Sequence, residues 1–456
     1  PRAKAPFPLT AGSSTTPPSD RQKSSSKRRG KLLTDELSAL KEAARQAFKA
    51  AVQRADPALA MRAALVRHPP PRPGLSGRTI VIAVGKAAPA MLRALLPRLD
   101  GRRHLICVTH RENDEQAPGA EVFRAGHPVP DSVGETASLR VIEALQQATS
   151  DDVVIALISG GGSALLPAPP DGVTLEDKQK LNRLLLENGL DIVQMNLIRQ
   201  QVSRLKGGGL ARLAAPAQVT AYILSDVVGD DLRAIASGPT VSPIGTTEDA
   251  RDLLREAALF DRIPANIQAH LRVARTAPLP QDAVNHLIGG NRESVEAAAQ
   301  YLSQHYDTKV IADPLIGDVN TAAASIFRVM KQEVTSRPRA ILWGGETTVK
   351  IRGRGRGGRN QELALRVAAL ADKAPVTRPW VFLSGGTDGR DGPTDAAGGL
   401  VDQGTLSRIR AEGQAPTALL DQNDSNTALR LAGDLLITGP TGTNVADVQI
   451  LLTGAA

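Results

Sequence analysis

Two apolar patterns organise the chain from about residue 32 onward. The first is LTDELSALKEAARQAFKAAVQRADP, an Ala/Leu-rich stretch with helical spacing that Thr34 or Asp35 could cap and that Pro57 ends. After the proline-rich connector HPPPRPGLSG (residues 68–77), a second pattern takes over. Short apolar runs end in glycine or polar residues and are mostly followed by helical segments: TIVIAV, HLICVTH, VVIALISGGG, TAYILSDVVGD, HLIGGN, KVIADP, AILWGGET, VFLSGGTDG, DLLITGPTG and VQILLTG. Continuous rather than alternating apolar runs suit strands buried on both faces, and their alternation with helices predicts an α/β protein with mostly parallel sheets. A proline-bounded loop near residues 277–283 predicts a domain boundary close to 285, giving one domain over 32–285 and a second over 286–456. The strand endings SGGGS (159–163) and SGGTD (384–388) read as one device used once in each domain.

Length agrees with this division, since 456 residues favour two to four domains. Phe, Tyr and Trp together number 11, so aliphatic residues must build the core and aromatic base-stacking platforms are not expected. The single cysteine, Cys107, excludes an internal disulfide and a multi-cysteine zinc site; its strand-like setting makes it a small buried hydrophobe. The net charge of +8 is concentrated in residues 1–31, where eight basic side chains stand against Asp20. That Pro/Ser/Thr-rich head carries too little apolar surface to offset ordering entropy and is expected to be a disordered tail. The remaining chain is nearly neutral, so nucleic acid is not an expected partner. No apolar run approaches the ~18 residues of a membrane span, and a cytoplasmic protein is expected.

Candidate chemistry gathers where strands end. In TIVIAVGKAAPAM, Lys86 follows a buried strand, where its ammonium could meet a phosphate at the strand's carboxyl end. Ser159, Gly160, Gly161, Gly162 and Ser163 follow another strand; successive glycines let backbone N–H groups approach an anion, and a helix start would add partial positive charge. No Walker A loop is present, which excludes the ordinary P-loop mechanism. In NLIRQQVSRLKGGGLARL, spacings of four and three place Arg199, Ser203 and Lys206 on one helix face, either as anion ligands or as C-terminal capping charges. Asp226, Asp230 and Asp231 form a carboxylate loop suited to Mg²⁺.

The segment AILWGGETTVKIRGRGRGGRNQELAL carries Glu346 and, at Gly353, Gly355 and Gly358, a literal G-x-G-x-x-G. A dinucleotide fingerprint also needs an acidic residue after a second strand, and Asp372 follows the helix instead. Arginines that fork onto carboxylate or phosphate, Arg359 among them, explain the composition better. Asp388, Asp391 and Asp395 follow a later strand, and Asn444 lies in a further glycine/threonine loop.

Taken together, VGKAAPAM, GHPVPD, ISGGGSALLPAP, NLIRQQVSRLKGGGLA, SDVVGDDLRAIASGPT, GGETTVKIRGRGRGGRNQELAL, SGGTDGRDGPTDAAGGLVD and TGPTGTNVADV resemble the glycerate 2-kinase family with its MOFRL carboxyl-terminal half. The basic head and Asn426 depart from the family pattern. The resemblance implies a Rossmann-like first domain, a MOFRL second domain, and ATP- and Mg²⁺-dependent phosphorylation of the 2-hydroxyl of D-glycerate between them. Small molecules, D-glycerate and ATP, are the implied partners, with a homodimer left open. It further implies catalytic roles for Lys86 and Arg359. With it, Asp388 is expected as a base, Asp226 and Asp230 as metal ligands, and Ser159 to Ser163, Arg199, Lys206 and Glu346 as binding residues. NAD(P)H-dependent hydroxypyruvate reduction is the alternative, because relatives have carried that label.

Overall fold

A computed structural model describes residues 20–273, 283–332 and 337–455. Residues 1–19 of the expected basic tail lie outside the described residues; the rest of it, from Asp20, runs directly into a helix, Asp20–Arg54. The predicted caps Thr34 and Asp35 therefore fall inside a helix instead of at its start.

The first sheet contains β1 (Thr79–Val84), β2 (Arg103–His110), β3 (Glu121–Ala125), β4 (Val153–Ile158), β5 (Gln218–Leu224) and β6 (Val284–Gly289). Its order is β3-β2-β1-β4-β5-β6 with every pair parallel, the order of doubly wound dinucleotide-type folds. All six positions of β1 and of β4 are buried, as their unbroken aliphatic runs require. Cys107 on β2 is a free, fully buried thiol whose pKa burial pushes up to about 12, which keeps it inert. In this topology the strand order reverses between β1 and β4, opening a crevice beyond their carboxyl ends. Lys86 leaves β1 at that place and Ser159 to Ser163 leave β4.

The second sheet contains β7 (Asp307–Val310), β8 (Leu315–Asp318), β9 (Arg339–Thr348), β10 (Trp380–Gly386), β11 (Gly398–Asp402), β12 (Leu435–Leu436) and β13 (Asp447–Thr453). It is mixed rather than mostly parallel: β13 pairs antiparallel with both β9 and β10, and β11 antiparallel with β10 and β12. Burial on both faces accounts for the runs of β10, β11 and β13, while β7 is half exposed, and burial carries no information about strand direction. Because β13 intervenes between β9 and β10, the glycine-arginine loop after β9 does not belong to an adjacent-strand dinucleotide unit.

The first helix packs on the lobe that comes last in sequence. Leu40, Ala44, Ala47, Phe48 and Ala51 are buried in a core with Leu383, Leu436, Val448 and Ile450, so the helix packs on the second sheet although it precedes the first in sequence. Lys41 fastens it through 2.6 Å ion pairs to the buried carboxylates of Asp402 and Asp434, which Arg408 also contacts. Gly385 makes room for this docking: a Cβ there would lie 2.9 Å from the Phe48 ring. Gly385 and Gly386 are thus strand residues paired within the sheet, a different device from the turn that follows β4. The next helix, Pro57–Arg67, returns to the first lobe, where Met61 and Leu65 join the core under β1 and β2. Thus the chain threads both lobes before its first strand.

Phe48→Ala is expected to remove about 3–5 kcal/mol of stability. Denaturant unfolding monitored through the buried Trp380 of the second lobe checks this, and a loss below 1 kcal/mol would contradict the packing.

Candidate active site

The turn after β1 is built by close backbone approach. Gly85 has φ of 124°, and a Cβ on it would fall 2.1 Å from Ser159 Oγ and 2.5 Å from the Ser159 carbonyl. Only glycine serves there. Lys86 N donates to Gly160 O at 2.9 Å, and Ala87 N donates to Ser159 Oγ at 3.1 Å. Ser159 is buried and spends its hydroxyl on this brace, donating also to Val84 O, so its part is to lock the two strand ends together. Asn113 adds a third tie, its Nδ2 donating to Lys86 O at 2.9 Å. No carboxylate among the described residues forms an ion pair with the Lys86 ammonium.

Around it lies a cleft of about 660 Å³ lined from both lobes: Lys86, His110, Asn113, His127 and Gly160 from the first, Asp388, Arg390 and Asn444 from the second. The Lys86 stem passes Gly161, and the His127 ring edge approaches the same glycine. Burial of the ring, Lys86 and His110 together lower His127 to about 4, while burial and Lys86 lower His110. Both imidazoles are therefore neutral near pH 7. Asp226 presses its carboxylate against Gly160, where an added Cβ would lie 2.3 Å from Oδ2. Burial raises the Asp226 pKa, Lys86 opposes the rise and Glu346 adds to it. An enclosed carboxylate with no ion-pair partner among the described residues is a group that a divalent cation would relieve, so Asp226 fits a Mg²⁺ ligand.

Arg359, on the second lobe, opens the helix Arg359–Lys373, whose first N–H groups are capped by Asp391 from another loop. Its guanidinium forks onto Asp447 with two 2.9 Å bonds and reaches Glu346 at 3.0 Å, leaving Nη1 outside both pairs. Asp447 is fully buried; desolvation raises it to about 6 despite Arg359, while Asp447 and Glu346 hold the arginine above its ordinary value. Asp226 thus feels Lys86 of its own lobe and Glu346 of the other, and Glu346 in turn pairs with Arg359.

Other expected residues are placed differently. Asp230 turns away from Asp226, its Oδ1 buried without a hydrogen bond near Gly290, in a separate hollow with Asn291 and Val310. Its backbone at φ 54° redirects the loop, which sequence spacing does not reveal. Among the described residues no group of three or more His, Cys, Asp and Glu side chains is arranged to hold a metal. Helix Ile192–Gln201 ends before Lys206, so Arg199 and Lys206 do not share a helix face; they meet instead across a side pocket. Ser163 Oγ lies 2.9 Å from Ser237 Oγ, and the helix after the glycines is a single turn, Gly162–Leu165, whose dipole contributes little. Asp388 lines the cleft with its Oδ1 accepting from Arg390 N. His127, His110 and Asp447 were not singled out by sequence reasoning; His127 does sit in the matched GHPVPD.

The two α/β lobes and the charged cleft between them do not by themselves name a reaction, because one fold hosts many chemistries. The comparisons supply the class. Residues 43–272 match the model described as "Domain of unknown function (DUF4147)", and residues 339–447 match the MOFRL family. D-glycerate 2-kinase of Thermotoga maritima is 38% identical over 382 residues, covering 82% of this chain and 90% of the relative. A crystal structure of glycerate kinase from Thermotoga maritima superposes with a TM-score of 0.83 at 36% identity, covering 91% of this chain and 100% of that one. A putative hydroxypyruvate reductase of Agrobacterium vitis is 40% identical over 389 residues, covering 83% and 100%. The chain belongs to the glycerate kinase family, and its enzyme class is that of a kinase. No helix among the described residues is long and apolar enough to cross a membrane.

The His127 imidazole is expected to titrate near pH 4 by NMR, and Lys86→Met should move that midpoint upward. Its neutral form being favoured on folding, His127 contributes stability that is present above about pH 6.5 and lost as pH falls toward 4. An unchanged midpoint in Lys86→Met would contradict the proximity of the two side chains.

Proposed function

We propose that the enzyme phosphorylates the 2-hydroxyl of D-glycerate with ATP, giving 2-phosphoglycerate and ADP in the interlobe cleft. The observation that supports this reading is a cleft lined from both lobes, with Lys86 and Gly160 on one side and Asp388 and Arg390 on the other, beside Asp226, whose carboxylate feels both Lys86 and Glu346. The acceptor oxygen attacks the γ-phosphorus, the bond to the ADP oxygen breaks, and the hydroxyl proton passes to Asp388, the half-buried carboxylate of the cleft.

Phosphoryl transfer depends mainly on positioning and charge neutralisation. Lys86, unpaired and held by the Gly85–Ser159 brace, faces the transferring group. Arg359, immobilised by Asp447, directs Nη1 to the acceptor carboxylate or the phosphoryl oxygens. Backbone N–H groups of Gly160 to Ser163 hold phosphate. Asp226, with Glu346 as its neighbour, holds Mg²⁺, which neutralises the nucleotide's phosphate charge when bound. A unit charge at ~4 Å and an effective dielectric of ~20 contributes about 4 kcal/mol, nearly three decades in rate when felt only in the transition state.

Lys86→Ala is accordingly expected to lower kcat about 10²–10³-fold with the fold intact; near-wild-type turnover would exclude the mechanism. Phosphorus NMR of the product should show 2-phosphoglycerate and not the 3-isomer. Hydroxypyruvate with NADH should give no loss of nicotinamide absorbance, whereas a steady loss would favour the reductase reading. Asp226→Asn should require more Mg²⁺ for half-maximal rate, and an unaltered Mg²⁺ titration would remove it as a ligand.

A further inference from the structure

Beside the cleft, and sharing the wall His127–Pro128–Val129 with it, lies a second pocket of about 530 Å³ within the first lobe. Gly160 faces the cleft and Gly161 faces this pocket, so the glycine turn after β4 stands between the two. Its walls are largely apolar, with Pro167, Leu181, Leu186, Ile192 and Met195, yet three enclosed cations project among them: Lys178, Arg199 and Lys206. Lys178 and Lys206 are only 5% and 4% exposed. No Asp or Glu lines the pocket, and no ion pair involves any of the three among the described residues.

Their hydrogen bonds go to neutral groups. Lys178 Nζ donates to Val202 O at 2.7 Å, Lys206 Nζ to the Ser163 and Leu166 carbonyls at 2.8 and 3.0 Å, and Arg199 Nε to Asn182 Oδ1 at 2.8 Å. Burial and Arg199 lower Lys206 to about 7; burial, Lys206 and Arg199 lower Lys178 well below its usual value. Enclosing like charges without a counter-ion is costly unless a ligand supplies one. A three-carbon acid bears a single negative charge and would leave most of the volume empty. A nucleoside polyphosphate bears several, and its base needs apolar walls in a pocket of this size.

We propose that this side pocket seats the nucleotide, its α- and β-phosphates among Lys178, Arg199 and Lys206 and its base against Leu181, Leu186 and Met195. The terminal phosphate then reaches past Gly161 to Lys86, where the acceptor waits in the cleft. The proposal rests on the kinase reading and adds to it the position of the donor.

Calorimetric titration with ADP alone tests it, because ADP binding is measured apart from catalysis. Lys178→Met keeps the stem and removes the charge. It is expected to raise the ADP Kd at least tenfold while the melting temperature of the ligand-free protein holds or rises, since a buried unpaired ammonium is gone. An ADP Kd within twofold of wild type, or a lost D-glycerate affinity with ADP binding intact, overturns the proposal. Leu186→Trp on the exposed rim provides a second readout that does not disturb the charges: ADP should quench the added indole emission saturably, and no change overturns the placement. If wild-type enzyme forms 2-phosphoglycerate while Lys178→Met binds ADP normally, only the nucleotide's seat is wrong. If it forms none, the acceptor assignment falls whatever the ADP titration gives.

Discussion

The approach of two backbone turns, at Gly85 and Ser159, is the constraint on which the rest of the site depends. Because Gly85 has no side chain, β1 and β4 end in contact, and Lys86 leaves the turn directly over the glycines after β4. An ammonium on a rigid turn, with no carboxylate paired to it among the described residues, is a cation in reserve. The other lobe's Arg359 is already engaged, committed to Asp447 and Glu346. The two lobes therefore contribute different electrostatics, one a free charge on a stiff backbone, the other a guanidinium fixed by buried acids.

Burial governs the protonation states as much as pairing does. His127 and His110 stay neutral chiefly because their rings are buried, with Lys86 adding to the effect, while Asp226 and Asp447 are pushed up by desolvation despite nearby cations. On the proposed reading, phosphate and a divalent cation entering the cleft would each relieve charges that the protein leaves incompletely compensated. The side pocket follows the same logic in a more extreme form, with cations and no acids among the described residues that line it.

The lobes are also bound by a covalent path unlike the order of their sheets. The helix Asp20–Arg54 belongs energetically to the second lobe through Phe48 and Lys41, and Thr443 Oγ1 donates to Ala55 O at 2.6 Å just where the chain leaves for the first lobe. Asn291 adds a second tie by donating to the Val445 and Asp447 carbonyls, immediately beside the residue that holds Arg359.

Local signals in the sequence determined the α/β class, the first sheet's parallel character, the buried inert Cys107 and the residues clustered at strand ends, because apolar periodicity and glycine requirements are properties of short segments. Lys86, Gly160 and Asp388 line the cleft from places that strand endings alone identify. Tertiary structure alone decided the mixed direction of the second sheet, the crossing of the first helix, the separation of Asp230 from Asp226, the bracing use of Ser159, and the meeting of Lys178 with Arg199 and Lys206. Each of these depends on which distant segment supplies the neighbour: a buried run looks alike in either strand direction, a helix face does not name its partner, and a lysine reads as solvated until the surrounding fold removes its water.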